Sequence, residues 1–224
     1  MRVILGSTSP RRRDLLGALG IDFRILAPSA DESAHPGEEP LAYALRVARD
    51  KADSVVSDVA GRRGASIVIA CDTIVTIDGK IIGKPADRAD ALGILGTLTG
   101  RTHSVISAVS LAHVAATTRV LTGAEESRIT FRNLGPPELE RYLDRIHFMD
   151  KAGAYAAQEH GRLIIERIEG SVTNVIGFPL RLFFRMLGEM GLAGSLFCPE
   201  NENGTGDEPP CGAAGNTGSR DRPA

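Results

Sequence analysis

The chain has 224 residues, 42% of them apolar, with 25 Gly, 12 Pro and no Trp, enough to bury one large core or two small ones; collagen-like and wholly disordered polymers are excluded. Its 26 Lys+Arg against 28 Asp+Glu give a formal charge of −2, which excludes a broad nucleic-acid surface, and Cys71, Cys198 and Cys211 form no CxxC pair and suit a reducing compartment. No stretch approaches the ~18 consecutive apolar residues of a membrane helix, and the short run after Met1-Arg2 is no secretory signal, so a cytoplasmic protein with no membrane partner is expected.

Short apolar runs alternate with amphipathic segments, the pattern of an α/β fold. Val3 to Leu5 reads as a strand and Gly6-Ser7-Thr8-Ser9-Pro10 as a loop into a helix, with Ser9 as N-cap, Pro10 in the first turn, and Gly20 as the stop. Phe23 to Leu26 is a second strand. After a polar loop from Asp31 to Pro40, Leu41 to Val59 reads as a long helix with Leu45, Ala48 and Ala52 on one face. Ile67 to Ala70 is a buried strand ending at Cys71-Asp72-Thr73, and Ile74 to Ile77 and Lys80 to Ile82 flank Asp78-Gly79 as a hairpin. Asp87 to Leu98 is helical, Ser104 to Ala112, Arg119 to Leu121 and Ser127 to Phe131 are strands, and Pro136 to Ile146 is a helix. Leu163 to Ile168 is a strand and Pro179 to Met190 a final helix. There is no internal repeat. Residues 1–198 read as one domain and 199–224, rich in Gly, Pro, Asn and charge, as a disordered tail. The tail carries five acids and two arginines, which leaves 24 bases against 23 acids in the body, compatible with a small basic groove.

Three arginines, Arg11 to Arg13, in the first turn after a strand–loop junction suit an anion such as phosphate, since helix-start N–H groups and guanidinium forks both donate to its oxygens. A solvated basic turn is the competing reading. Asp72 follows an apolar strand directly, where a carboxylate is able to hold a metal, activate water, or merely cap a turn. Asp31 and Glu32 form a loop pair that reads as solvated surface unless one of them joins Asp72 in an oxygen-ligand site for Mg²⁺. Lys51, and Lys84 held between Gly83 and Pro85, are further candidates for phosphate contact. The small-residue run Asp150 to Gln158 permits close approach of a flat ligand with an amide to read its edge, or a plain packed loop. Zinc protease, P-loop and α/β-hydrolase motifs are absent.

In order and spacing, Ser7-Thr8-Ser9-Pro10-Arg11-Arg12, Arg49-Asp50-Lys51-Ala52, Cys71-Asp72-Thr73-Ile74-Val75, Gly83-Lys84-Pro85, Gly100-Arg101-Thr102-His103, Asp150 to Tyr155 and Glu169-Gly170-Ser171 to Asn174 closely resemble the Maf family of nucleoside triphosphate pyrophosphatases, over about residues 2–190. The resemblance implies a mixed central sheet flanked by helices in two lobes around a groove, of the inosine triphosphate pyrophosphatase type and often dimeric. It implies metal-dependent hydrolysis of a nucleoside triphosphate substrate to monophosphate and pyrophosphate, with Mg²⁺ or Mn²⁺ on Glu32 and Asp72. The family's catalytic aspartate falls on Asp72, its phosphate-binding groups on Ser7, Arg12, Lys51 and Lys84, and its specificity positions on Arg11, Thr73 and Gln158. Asp72-Thr73 and Tyr155-Ala156-Ala157-Gln158 look like the subgroup acting on dTTP and UTP. A 7-methyl-GTP pyrophosphatase and a non-enzymatic septum-formation regulator are the alternatives. Two segments depart from the family: Glu159-His160 stands where Gly usually follows the glutamine, and Arg145 to Met149 replaces an acidic-Pro version. The expected consequence of Glu159 is a narrower base pocket.

Overall fold

In a computed structural model, which describes residues 1–61 and 64–197, strand β1 (Arg2–Gly6) enters the interior at once, with Val3 to Gly6 buried. It pairs in parallel with β2 (Arg24–Ile25) on one side and β3 (Ser66–Ile77) on the other. The connections between them are helices, as parallel pairing requires: α1 (Pro10–Gly17) leads to β2, and α2 (Pro40–Val59) leads to β3. A short hairpin adds β4 (Lys80–Ile82) antiparallel to β3, and α3 (Arg88–Leu98) follows. Strands β5 (Thr102–Val114) and β6 (Thr118–Phe131) form a long antiparallel hairpin; α4 (Pro136–Leu143), β7 (Ile165–Glu169), α5 (Val172–Ile176), α6 (Leu180–Glu189) and α7 (Ala193–Phe197) complete the described chain. The seven-stranded mixed sheet runs β2-β1-β3-β5-β6-β7, with β4 beside β3.

Side-chain alternation along the long strands explains the expected two lobes. On one face, Ile67, Ile69 and Cys71 of β3 with Val109 and Leu111 of β5 form a core beneath α1 and α6. Further along the same face, Val75 and Ile77 with Val105, Ile129 and Phe131 form a second core beneath α3 and α4. Between these cores the face is polar: Thr73 and Ser107 lie directly opposite each other in register. The opposite face carries Val68, Ile74, Ile106 and Ala108, packed under α2. The stripe that α2 buries is Ala44, Val47, Ala48, Lys51, Ala52 and Val55, so a lysine stands in apolar register; Leu45, expected on that face, is only partly buried.

Strand β3 runs unbroken through Cys71-Asp72-Thr73, where a strand end was expected. The physical reason is that β5 pairs with it from Ser66 to Thr76, whereas β1 stops opposite Ala70 and β4 begins opposite Val75. From Cys71 to Ile74 the described partners therefore lie on one side only, and the missing neighbour leaves a notch in the sheet. The two expected strands Arg119–Leu121 and Ser127–Phe131 are likewise one, because β5 holds the intervening residues. Gly123 there lies under α6, where a Cβ would approach Leu182 Cδ1 to 3.2 Å. The expected strand Phe23–Leu26 shrinks to two residues, and α5 and α7 had no counterpart in the sequence reading. The predicted tail, 199–224, lies outside the described residues. No described helix is long and apolar enough to cross a membrane.

Candidate active site

A cavity of about 420 Å³ opens at the notch, and Ser7, Arg11, Arg12, Glu32, Lys51, Asp72, Thr73, Lys84 and Gln158 all contribute to its wall. Ser7 follows β1 and is buried; its Oγ accepts from the Ser9 N–H at 3.2 Å and from Arg12 Nη1 at 3.1 Å. Ser9 occupies the N-cap position of α1 without a side-chain capping bond, and its own backbone N–H donates to Ser7 Oγ. Arg12 also donates from Nε to the Gly177 carbonyl at 3.0 Å and from Nη2 to Thr73 Oγ1 at 3.0 Å. These acceptors are all uncharged, so the guanidinium is held rigidly while its positive charge remains effective on the cavity. Thr73 in turn donates to Gly177 O at 3.3 Å and meets Ser107 Oγ at 2.9 Å, and the Cys71 thiol donates to Gly177 O at 3.3 Å.

The second cluster is centred on Lys51. Its Nζ lies 2.7 Å from Asp72 Oδ1 and 2.8 Å from Glu32 Oε1. Lys51 and Asp72 side chains are each 9% exposed, so the pair is desolvated, while Glu32 opens to solvent at 52%. Burial pushes the Glu32 carboxyl up, but the Lys51 ammonium, helped by Lys84 and Arg12, outweighs it and leaves the group below the usual carboxylate range. Tyr43 of α2 donates to the Glu32 carbonyl at 2.7 Å; burial, then Asp72 and Glu32, push its phenol up to about 12. Asp31 turns away and caps its own loop, Oδ1 accepting from Ser33 N–H at 2.8 Å, so Glu32 is the member of that pair that reaches the cavity.

A third cluster forms where α1 meets the loop after α4. Arg11 Nη1 donates to Asp150 Oδ2 at 2.9 Å, and Asp150 Oδ1 accepts from Lys151 Nζ at 2.9 Å and faces His147 Nδ1 at 3.1 Å. Lys151 Nζ also donates to the His147 carbonyl and lies 3.4 Å from Glu159 Oε1. Burial raises the Asp150 carboxyl, but Lys151, His147 and Arg11 more than reverse this and hold it well below the usual range. Beyond the 3-10 turn Ala152–Ala154, Tyr155 lines the cavity and its OH meets buried His103 Nε2 at 3.0 Å. Burial pushes His103 down to about 4, so the imidazole is neutral.

Sequence reasoning did not single out Gly177, Ser107, Asp150, Lys151 or Tyr155 for these contacts. Gly177, with φ 116°, offers no local signal of its role, since its carbonyl matters through residues more than a hundred positions earlier. Lys51 did carry a signal: a charge on the apolar stripe of a helix needs buried partners. Glu159 turns to Lys151 and lines an adjoining cavity, which shares Ala157 and Gln158 with the first.

The family model for Maf-like proteins matches residues 2–190. The chain belongs to the Maf family. Relatives named dTTP/UTP pyrophosphatase include those of Syntrophomonas wolfei, 41% identical over 187 residues (84% of this chain, 96% of the relative), and Dechloromonas aromatica, 40% identical over 200 residues (85% and 98%). The Aquifex aeolicus relative of the same name is 39% identical over 197 residues (88% and 100%). Among solved structures, the Staphylococcus aureus Ham1 protein aligns at 13% identity with TM-score 0.40 (85% of this chain, 100% of that one), and a dITP/XTP pyrophosphatase from Mycobacterium abscessus at 14% with TM-score 0.36 (88% and 98%). Likeness at that level decides nothing about the site of this Maf protein.

Proposed function

We propose that this Maf protein hydrolyses dTTP and UTP to the nucleoside monophosphate and pyrophosphate. The observation that carries the reading is the junction of two clusters in one cavity: an arginine anchored by neutral oxygens, and a buried Asp72–Lys51 pair with Glu32 at its mouth. The names of the relatives supply the substrates.

The donors fit a divalent cation. Two carboxylates of separate elements, Glu32 and Asp72, already converge on one cationic atom, Lys51 Nζ, within 2.8 Å. Among the described residues no group of three or more His, Cys, Asp or Glu forms a ready cage, and Mg²⁺ or Mn²⁺ is commonly held by one or two carboxylates with water and substrate phosphate completing the shell. Glu32 and Asp72 would hold that ion, which when bound neutralises phosphate charge and polarises the reacting phosphoryl group.

The chain's own groups do the rest. Arg12, Lys84 and Lys51 bind the polyphosphate and offset charge that builds on the leaving pyrophosphate. Asp72 orients the attacking water and accepts its proton as water adds across the α–β anhydride. Ser7 and Thr73 hold the Arg12 fork in place, and the loop around Arg11 and Gln158 meets the nucleoside. The test is pyrophosphate release by the wild-type protein over dTTP, UTP, CTP, GTP and 7-methyl-GTP with Mg²⁺ or Mn²⁺. Turnover highest with dTTP and UTP supports the reading. A preference for 7-methyl-GTP, or no turnover of any nucleotide, overturns it.

A further inference from the structure

Two segments on either side of the Ala152–Ala154 turn, Arg145 to Met149 and Glu159-His160, meet at one atom. Lys151 Nζ donates to the His147 carbonyl and lies 3.4 Å from Glu159 Oε1, while also donating to Asp150 Oδ1 at 2.9 Å. Asp150 continues the chain of charges to Arg11, whose Nη1 is 2.9 Å from Oδ2. Lys151 is 5% exposed at its side chain and lies on the cavity wall; Arg11 and Gln158 lie on the same wall.

The arrangement alternates in sign: Arg11, Asp150, Lys151, Glu159. With Glu159 the four charges cancel; with an uncharged residue at that position the cluster would carry one excess positive charge inside the cavity. A buried ammonium so compensated has its donors directed into the protein, and the polyphosphate is left to Arg12, Lys51 and Lys84. Glu159 also immediately follows Gln158, so its tie to Lys151 fixes the backbone from which the glutamine amide reaches the ligand.

We propose that Glu159 is a specificity-determining positioning residue: by engaging Lys151 it keeps that ammonium off the phosphates and fixes Gln158 and Arg11 for discrimination among nucleotide bases. The inference rests on the nucleotide reading above and deepens it. Removing the carboxylate leaves Lys151 held by Asp150 and the His147 carbonyl but with one uncompensated positive charge on the cavity wall, which attracts any triphosphate whatever its base. Selectivity therefore falls through KM, with kcat for the preferred nucleotide little changed, because the Asp72 cluster does not touch Lys151.

The experiment compares wild type, Glu159→Gln, Glu159→Gly and the conservative Glu159→Asp. It uses steady-state hydrolysis of dTTP, UTP and GTP, and calorimetric binding of the non-hydrolysable α,β-methylene analogues of UTP and GTP. For Glu159→Gln and Glu159→Gly, the ratio of pyrimidine to purine affinity is expected to narrow by about fivefold, the scale of a half-exposed ion pair. Glu159→Asp is expected to recover part of the ratio. A ratio unchanged in both variants that fold, or a uniform fall across all nucleotides, overturns the inference while leaving the pyrophosphatase reading intact. Failure of the wild type to bind any analogue overturns both.

Discussion

Lys51 sits in the apolar stripe of α2 because two carboxylates meet it there, and the three groups stand or fall together. Withdrawing one partner from a buried ion pair leaves the other charge uncompensated, at a cost of about 3–5 kcal/mol when no substitute exists. Here Glu32 remains beside Lys51, so the structural cost of neutralising Asp72 is smaller. Asn retains the size of Asp and an oxygen able to accept from Nζ, but it cannot take a proton from water. Asp72→Asn is therefore expected to lower pyrophosphate release by about 10²-fold or more while the unfolding midpoint moves by only a few degrees. Undiminished turnover in that variant, assayed with Mn²⁺, removes Asp72 from the proposed chemistry.

At the scale of elements, the turn from β7 into α5 decides where Gly177 places its carbonyl. Gly170 has φ 114° and packs so tightly that a Cβ would fall 2.7 Å from Ser127 Oγ. That hydroxyl accepts from the Ser171 N–H and from Asn174 Nδ2, each at 2.9 Å, and thereby pins the start of α5 to β6. Gly170→Ala is expected to destabilise the fold by about 1–3 kcal/mol and to raise KM through a displaced Arg12; chemical denaturation and kinetics read the two effects separately. Exposed Gly188 in α6, where a Cβ meets nothing within 4 Å, is the control: Ala there is expected to stabilise by about 0.5–1 kcal/mol.

The same contrast explains what could be read in advance. The hairpin at Asp78-Gly79, with φ 51° and 73°, and the start of α3, where Asp87 Oδ1 accepts from Asp90 N–H, are encoded by adjacent residues and were legible. The continuity of β3 through Asp72 depends on β5, some thirty residues later, and the setting of Arg12 on a carbonyl 165 residues away; local pattern carries neither. The gathering of nine anticipated residues around one cavity came from the order of several motifs, while the ion cluster around Asp150 and Lys151 emerged only once the chain was folded.

For the molecule as a whole, acidity is the revealing variable. His103 is buried against Phe131 and Tyr155 and burial lowers its pKa from 6.5 to about 4. Between those values the unfolded chain binds a proton that the folded one does not, so stability is complete above about pH 6.5 and declines as pH falls toward 4. The loss across that window is roughly 3 kcal/mol. Glu32 and Asp150, both lowered by cationic neighbours, contribute stability above their unfolded pKa values that is lost at still lower pH. His103→Gln is expected to flatten the upper part of this profile, measured as ΔG of unfolding against pH; an unchanged slope between pH 6.5 and 4 means that the imidazole titrates normally in the fold.

The Cys71 thiol, fully buried and donating to the Gly177 carbonyl, makes the seam between β3 and the end of α5 a built-in clock for opening of the cavity. Burial also raises its pKa, so it reacts only from conformations in which the seam has parted. With Cys198 and Cys211 replaced by Ser, the rate of labelling by a thiol reagent should be far below that of an exposed cysteine, and slower again under saturating α,β-methylene UTP. Labelling at the exposed-thiol rate would mean that the seam spends most of its time open.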